Sequence, residues 1–257
     1  MNRIHKLFNT KKSRVLSIYF TAGFPALEDT IPIMEAAQAG GADIIEIGVP
    51  YSDPIADGPT IQDSNMIALE NGISLKKIFE QLKGFRDKIQ IPVVMMGYLN
   101  PMMQYGMEAF CKKCQEVGVD GLILPDLPMQ QYLDDYKALF EEYGLVNTFL
   151  ISPQTTEKRI REIDENTNGF IYMVSSHGVT GAKSGITEEQ ISYFERVQVM
   201  NLKNPRLIGF GISDSETFSK ASEFSNGAII GSAFIKTVKN SKNLSEDIQA
   251  YIQSVIK

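Results

Sequence analysis

Short apolar runs alternate with longer amphipathic stretches about eight times along this chain of 257 residues. Predicted strands run over 15–20, 42–47, 91–96, 121–124, 145–151, 169–174, 206–209 and 227–230. Predicted helices run over 29–39, 61–70, 75–88, 107–116, 130–143, 158–165, 188–197, 216–224 and 244–256. Such alternation builds right-handed βαβ units and a parallel sheet, and about eight units in ~250 residues are typical of one closed barrel. We therefore predict an α/β fold, one (β/α)₈ TIM-barrel domain over 1–257.

The N-terminal segment and the charge balance exclude several classes of protein. Residues 1–14 contain basic side chains but no following apolar region with a cleavage site, so we expect no secretory signal. Ile4, Leu7 and Phe8 share one face of a predicted extra N-terminal helix. Lys and Arg total 25 against 31 Asp and Glu, and no basic block indicates nucleic-acid binding. No apolar run reaches about 18 residues, so we expect no membrane span and a cytoplasmic protein.

The two cysteines, Cys111 and Cys114, stand in the frame C-K-K-C, which is also found in zinc and redox sites. A zinc site needs four ligands, and the chain has no second C-x-x-C motif. The pair lies inside a helical pattern. We therefore expect a structural role for both thiols and no metal.

The predicted strand over 42–47 carries one carboxylate, Glu46, among three isoleucines. A carboxylate in apolar surroundings is unfavourable unless it is paired, hydrogen-bonded or protonated. The strand leads into a Pro- and Gly-rich loop with Asp53 and Asp57. Because loops after strand ends carry the chemistry of α/β proteins, Glu46 and Asp57 are candidate catalytic groups. The alternative is that Glu46 is a barrel-interior carboxylate satisfied by its neighbours and that the aspartates are turn residues.

Three late loops are rich in glycine, and they cover residues 175–181, 209–213 and 231–234. Glycine allows the backbone to approach a ligand, and the start of the following helix favours an anion. A phosphate site built by the loops after strands seven and eight is common in barrels of this type. We therefore predict phosphate binding at these loops, and the alternative is that the glycines serve only as turn residues.

Other motifs in the glycine-rich region are incomplete. The segment 178–184, GVTGAKS, has Ala182 where a P-loop needs its second glycine. The fragment Gly209-Phe210-Gly211 lacks the third glycine of a dinucleotide fingerprint. His177 is interpreted as a solvated loop residue. Aromatic residues at strand ends, among them Tyr19, Tyr98, Tyr172 and Phe210, could line an apolar pocket.

Together these residues closely resemble the α subunit of tryptophan synthase, and the similarity runs through the whole chain. The most specific motif is the segment 48–62, GVPYSDPIADGPTIQ. The segments 20–25 (FTAGFP), 178–181 (GVTG) and 209–212 (GFGI) also match at the expected places. The family has the fold predicted above, a (β/α)₈ barrel with an extra N-terminal helix.

The resemblance implies a lyase of tryptophan biosynthesis that cleaves indole-3-glycerol phosphate to indole and glyceraldehyde 3-phosphate by a retro-aldol reaction. It maps the acid–base group onto Glu46 and the carboxylate that faces the indole nitrogen onto Asp57. The other implied substrate-binding residues are Tyr19, Tyr172 and Phe210 at the indole ring and Thr180, Gly181, Gly211, Ile212, Gly231 and Ser232 at the phosphate. Many members carry Phe at the position of Tyr19, which bears on pocket polarity, and Arg at that of Ser176, which bears on loop closure.

The resemblance also implies a partner. The expected partner is a tryptophan synthase β subunit in an αββα complex through which indole passes. Pyridoxal phosphate belongs to that subunit, and no cofactor is implied in this chain.

Two other functions remain as alternatives. A catalytically weak subunit that mainly activates its partner is disfavoured by the intact Glu46 and Asp57. Another phosphate-handling barrel, such as an isomerase or synthase of the same pathway, is disfavoured by the segment 53–62.

Overall fold

The computed structural model describes residues 1–54, 57–175 and 186–257. Eight parallel strands close into a barrel in chain order, each pairing with the next and β8 with β1. The strands are β1 (Val15–Thr21), β2 (Ile44–Gly48), β3 (Val93–Met96), β4 (Gly121–Ile123), β5 (Val146–Ile151), β6 (Ile171–Val174), β7 (Arg206–Gly209) and β8 (Gly227–Ile230). The predicted fold class is confirmed by this closed barrel and its surrounding helices.

The helices pack around the barrel or close one of its ends. They are α1 (Arg3–Thr10), α2 (Thr30–Gly40), α3 (Pro59–Glu70), α4 (Leu75–Gln81), α5 (Leu99–Tyr105), α6 (Met107–Val117), α7 (Met129–Gln131), α8 (Lys137–Glu142), α9 (Glu157–Asn166), α10 (Glu188–Gln198), α11 (Ser215–Phe224), α12 (Ser232–Asn240) and α13 (Leu244–Ile256). In the described part of the chain, none of them is long and apolar enough to cross a membrane.

The N-terminal helix α1 packs at the strand starts, opposite the predicted site. Asn2 caps it by accepting a hydrogen bond from the Ile4 amide at 2.9 Å. Ile4 and Phe8 are buried, and the ring of Phe8 lies 6.0 Å from that of Phe170, just before β6. The buried Asp120 before β4 pairs with Arg3 of this helix at 3.0 Å. The helix therefore closes the amino-terminal end of the barrel and leaves the other end for the site.

Two predicted helices differ from the structure, and two of its helices were not predicted. The first unpredicted helix, α5, begins at Leu99, because the Asp126 carboxylate accepts hydrogen bonds from the Leu99 amide at 2.9 and 3.0 Å. The helix predicted over 75–88 is wrong beyond Gln81, since Gly84 has a φ of 72° and only a 3₁₀ turn, Phe85–Asp87, follows. The helix predicted over 130–143 is divided into α7, the π-helical turn Tyr132–Tyr136, and α8. Helix α12 was not predicted at all.

The two cysteines lie buried on α6, and Cys114 Sγ is 3.8 Å from Met95 Sδ on β3. Burial raises the pKa of Cys111 to about 12 and the pKa of Cys114 well above its usual range. Both thiols are therefore protonated near neutral pH and pack as small apolar side chains.

Candidate active site

Glu46 lies in the barrel wall with none of its surface exposed to solvent. The neighbouring Ile45 and Ile47 point away from it, since side chains alternate along a strand. Ser17 on β1 donates a hydrogen bond through Oγ to Glu46 Oε1 at 2.6 Å. Among the described residues, Glu46 Oε2 has no hydrogen-bond partner. Burial raises the pKa of Glu46 to about 7, against the opposing effect of the Ser17 hydrogen bond. The carboxyl group can therefore be protonated or ionised near neutral pH.

Asp57 follows β2 in a loop that is fixed at several points. The Asp57 amide donates to the Pro54 carbonyl at 3.3 Å, and Gln62 Nε2 donates to the Asp57 carbonyl at 2.8 Å. Burial raises the pKa of the Asp57 carboxyl to about 6, and a hydrogen bond with Tyr98 acts in the opposite direction. The ring of Tyr98 also lies 5.1 Å from that of Tyr51 in the same loop. Asp57 is therefore held by a residue from the loop after the neighbouring strand β3.

Two buried tyrosines extend from β1 and β6 towards these carboxyl groups. Tyr19 is paired in register with Glu46, and Tyr172 with Leu207. Burial raises the pKa of both phenols. After burial, the next-largest cause of the raised pKa is the negative charge of Asp57 for Tyr19 and the negative charge of Glu46 for Tyr172. Both rings therefore stay neutral and share the electrostatic environment of the two acids.

Each tyrosine occupies space that a glycine leaves open on the following strand. A Cβ placed on Gly48 would lie 2.3 Å from the Tyr19 hydroxyl, and one on Gly209 would lie 2.3 Å from the Tyr172 hydroxyl. The opposite edge of Tyr19 faces Gly231, where a Cβ would lie 3.4 Å from Cδ1. Tyr19 thus spans the region from the acids to the loop after β8.

Gly48→Ala is expected to displace Tyr19 and to lower both the melting temperature and the rate of the reaction. Gly48 has no left-handed backbone angle, so the added methyl group acts by overlap alone, at a cost of about 1–3 kcal/mol. Tyr19→Leu in the same chain removes the overlapping atoms and should recover much of the lost melting temperature. Thermal unfolding of both variants tests this, and a stable Gly48→Ala chain with an unmoved Tyr19 would contradict the packing.

The turn after β7 has an unusual backbone. Phe210 and Gly211 have φ angles of 67° and 79°. Only glycine adopts such angles freely, and a bulky residue there is strained by about 1–3 kcal/mol. The ring of Phe210 meets that of Tyr172 edge-on at 6.3 Å, and Ile212 is buried. Phe210, Gly211 and Ile212 therefore form one compact wall beside Tyr172.

The helix starts after β7 and β8 differ in how they are capped. Asp214 caps α11, since its carboxylate accepts from the Thr217 amide at 2.9 Å. Helix α12 begins at Ser232, and the preceding residue, Gly231, has no side chain with which to cap it. The first amides of α12 and its dipole thus favour the binding of an anion, whereas the start of α11 is already occupied by the carboxylate of Asp214.

The structure brings together the predicted residues Glu46, Asp57, Tyr19 and Tyr172, and places the others on adjoining strand ends and loops, namely Phe210, Gly211, Ile212, Gly231 and Ser232. Thr180 and Gly181 lie outside the described residues, as do Ser176 and His177. Sequence reasoning missed Ser17 as the partner of Glu46 and Tyr98 as the partner of Asp57. Ser17 lies two residues before Tyr19 on β1, so their side chains point to the same face of the strand, which is a signal that both face the barrel interior.

Comparisons with known proteins agree over nearly the whole chain. A family model described as "Tryptophan synthase alpha chain" matches residues 6–256. A relative of that name from Flavobacterium johnsoniae is 56% identical over 256 residues, covering 99% of this chain and 100% of the relative. One from Parabacteroides distasonis is 51% identical, covering 99% of each. The crystal structure of tryptophan synthase subunit alpha from Legionella pneumophila is similar with a TM-score of 0.89 and 33% identity, covering 100% of this chain and 97% of that one.

Proposed function

The chain belongs to the tryptophan synthase alpha chain family, and on that premise we propose how its residues carry out the family's reaction, the retro-aldol cleavage of indole-3-glycerol phosphate. The family predicted from the motifs is confirmed, and the chain is a lyase of tryptophan biosynthesis. The observation that carries the proposed mechanism is the pair of carboxyl groups, Glu46 and Asp57, whose pKa values are both raised by burial at one end of the barrel.

Glu46 is proposed as the acid and base of the reaction. Cleavage of the bond at indole C3 requires a proton on C3, which makes the ring an electron sink, and the removal of a proton from the adjacent hydroxyl group. One carboxyl group with a pKa near 7 can donate the first proton and accept the second. Oε2 is the oxygen left available for both transfers, because Oε1 is bonded to Ser17.

Asp57 is proposed to stabilise the positive charge that develops on the indole nitrogen when C3 is protonated. A fixed carboxylate is most effective where it is shielded from water, and Tyr98 holds this one in place. Tyr19, Tyr172 and Phe210 would line the indole ring. Acid–base chemistry by these groups needs no metal or organic cofactor, and we expect pyridoxal phosphate only in the partner subunit.

The phosphate is proposed to bind at the start of α12 and the turn at Gly211. Gly231 and Ser232 would offer backbone amides and a hydroxyl, with Gly211 and Ile212 beside them and Thr180 and Gly181 completing the set. The start of α12 supports this assignment, because Gly231 has no side chain to cap it and the first amides and the dipole of the helix suit an anion.

A direct test is to supply the purified chain with indole-3-glycerol phosphate in the presence of β subunit and without serine. We expect indole and glyceraldehyde 3-phosphate in equal amounts. Recovery of the substrate unchanged, or of an isomerised phosphate in its place, would overturn the assignment and favour another phosphate-handling barrel.

The catalytic rate is expected to depend on pH as a bell-shaped curve with limbs near pH 6 and pH 7, from the raised pKa values of Asp57 and Glu46. Asp57 must be ionised to stabilise the ring nitrogen, so the rate falls as pH drops below the lower value. Glu46 must be protonated to donate, so the rate falls as pH rises above the upper value. Measurement of kcat/KM, which reports the groups of the free enzyme, between about pH 5 and about pH 9 tests this, and a level profile would contradict it.

Family membership implies a tryptophan synthase β subunit as the partner, and we propose an αββα stoichiometry. The docking face is proposed at the strand ends that carry the site. Helix α3 follows the loop of Asp57, α5 follows Tyr98, and they expose Met66 and Met103 by 50% and 51%. Exposed methionines are common at protein-binding surfaces.

Addition of β subunit is therefore expected to accelerate cleavage by this chain. Docking beside Tyr98 and the Asp57 loop would exclude water from the site. By linkage, a substrate analogue on this chain should tighten β binding by the same factor by which β tightens the analogue. A titration that follows rate and analogue affinity tests both statements. Full activity of the isolated chain, with no response to β, would contradict them.

A further inference from the structure

We propose that Ser175 is a positioning residue for the cleavage reaction, because its hydroxyl holds the Phe210–Gly211 turn in the left-handed conformation that builds the phosphate and indole sites. This inference rests on the proposed function. Ser175 directly follows β6, and the turn directly follows β7, so the hydroxyl joins two neighbouring loops.

The contact that carries the proposal is a short hydrogen bond. Ser175 Oγ donates to the Phe210 carbonyl oxygen at 2.5 Å. Only 2% of Ser175 is exposed, so water does not compete for the bond. A Cβ placed on Gly211 would lie 3.9 Å from Ser175 Oγ, and among the described residues, apart from the two adjacent ones, no other atom is nearer. The hydroxyl therefore lies directly against the turn.

Phe210 needs such support because its φ of 67° is unfavourable for a bulky residue. Strained backbone persists only where neighbouring groups determine it. The backbone bond from the Ser175 amide to the Gly209 carbonyl, at 3.2 Å, fixes the residue before the turn. The side-chain bond fixes Phe210 itself. Without the hydroxyl, Phe210 is free to return to a negative φ, which moves both its ring and the amide of Gly211.

The two consequences of that movement can be measured separately. The ring of Phe210 contacts Tyr172, so the indole side of the site changes. The amides of Gly211 and Ile212 turn away from the phosphate, so the anion binds less tightly. We expect Ser175→Ala to weaken the binding of sn-glycerol 3-phosphate and to raise KM roughly threefold to tenfold, the effect of one lost hydrogen bond, while kcat changes less.

Matched variants distinguish this role from a merely structural one. Ser175→Thr keeps the hydroxyl and should retain the affinity. Ser222→Ala removes a similar bond, to the Phe218 carbonyl at 2.8 Å on α11, and should leave the affinity unchanged. Phe210→Gly removes the need for support, since glycine adopts positive φ freely. In that background Ser175→Ala should have little further effect on phosphate affinity.

The experiment is a double-mutant cycle between positions 175 and 210, with calorimetric titration of sn-glycerol 3-phosphate and cleavage kinetics in the presence of β subunit. A loss of affinity for Ser175→Ala that disappears in the Phe210→Gly chain supports the proposal. It is overturned if Ser175→Ala lowers only the melting temperature, or if its effect is the same in both backgrounds. Absence of cleavage by the unaltered chain would instead overturn the proposed function.

Discussion

Glu46→Gln is expected to reduce the rate of cleavage by at least about a hundredfold, within the ~10²–10⁴-fold range of a lost general acid–base group. Glutamine keeps the shape of the side chain and can still accept the hydrogen bond from Ser17. It cannot deliver a proton to C3 or take one from the hydroxyl group. The measurement is kcat at saturating β subunit, together with the affinity for sn-glycerol 3-phosphate, which should be unchanged. Retention of more than about a tenth of the rate would show that Glu46 is not the acid–base group.

The stability of the same variant provides its control. The pKa of Glu46 is raised in the folded chain from 4.5 to about 7. A raised carboxyl pKa favours the folded state below the unfolded pKa, and this contribution is lost as pH rises through the folded value. Above that value the ionised Glu46 opposes folding, by roughly 3 kcal/mol at most. Glu46→Gln should therefore increase the free energy of unfolding in mildly alkaline buffer, so a lower rate does not reflect misfolding.

Asp57→Asn is expected to lower the rate by roughly 10²–10³-fold, which is typical for the loss of one fixed group that stabilises a developing charge. The amide has the same shape but no charge to oppose the positive ring nitrogen. Because that charge is absent from the bound substrate, KM should change less than kcat.

Asp63→Asn is the matched control, since Asp63 lies on α3 near Asp57 in sequence but is exposed and paired with Lys239. That variant should cleave near the wild-type rate. If Asp57→Asn slows the reaction no more than Asp63→Asn does, the proposed role of Asp57 is wrong.

The fold could be predicted because its signal is local and repeated. Strands such as 44–48 are buried on both faces, so they read as apolar runs between amphipathic helices. Element starts that depend on distant residues could not be predicted in this way. Helix α5 begins at Leu99 because Asp126 from the next βα loop caps it. Helix α12 begins at Ser232 after Gly231, which has no side chain that would mark a cap in the sequence.

The candidate site could be predicted where a residue type is unusual for its place, as with Glu46 in an apolar strand. The residues that hydrogen-bond to Glu46 and Asp57 could not be predicted, because they come from neighbouring strands and loops that only the fold brings together. Ser17 reaches Glu46 only because β1 and β2 pair in their observed register. The left-handed Phe210 is hidden as well, since a phenylalanine gives no sign of a positive φ. The supporting role of Ser175 follows from that angle, so it also needed the structure.

The central claim is that Glu46 transfers a proton to indole C3 while Asp57 stabilises the ring nitrogen. The most direct measurement is the exchange of the C3 hydrogen of indole for deuterium in heavy water, followed by NMR with sn-glycerol 3-phosphate bound to the chain in the presence of β subunit. This isolates proton transfer from cleavage of the carbon–carbon bond. We predict exchange well above the buffer rate for the unaltered chain, slower exchange for Asp57→Asn, and only the buffer rate for Glu46→Gln. Equal exchange by the unaltered chain and Glu46→Gln would contradict the account.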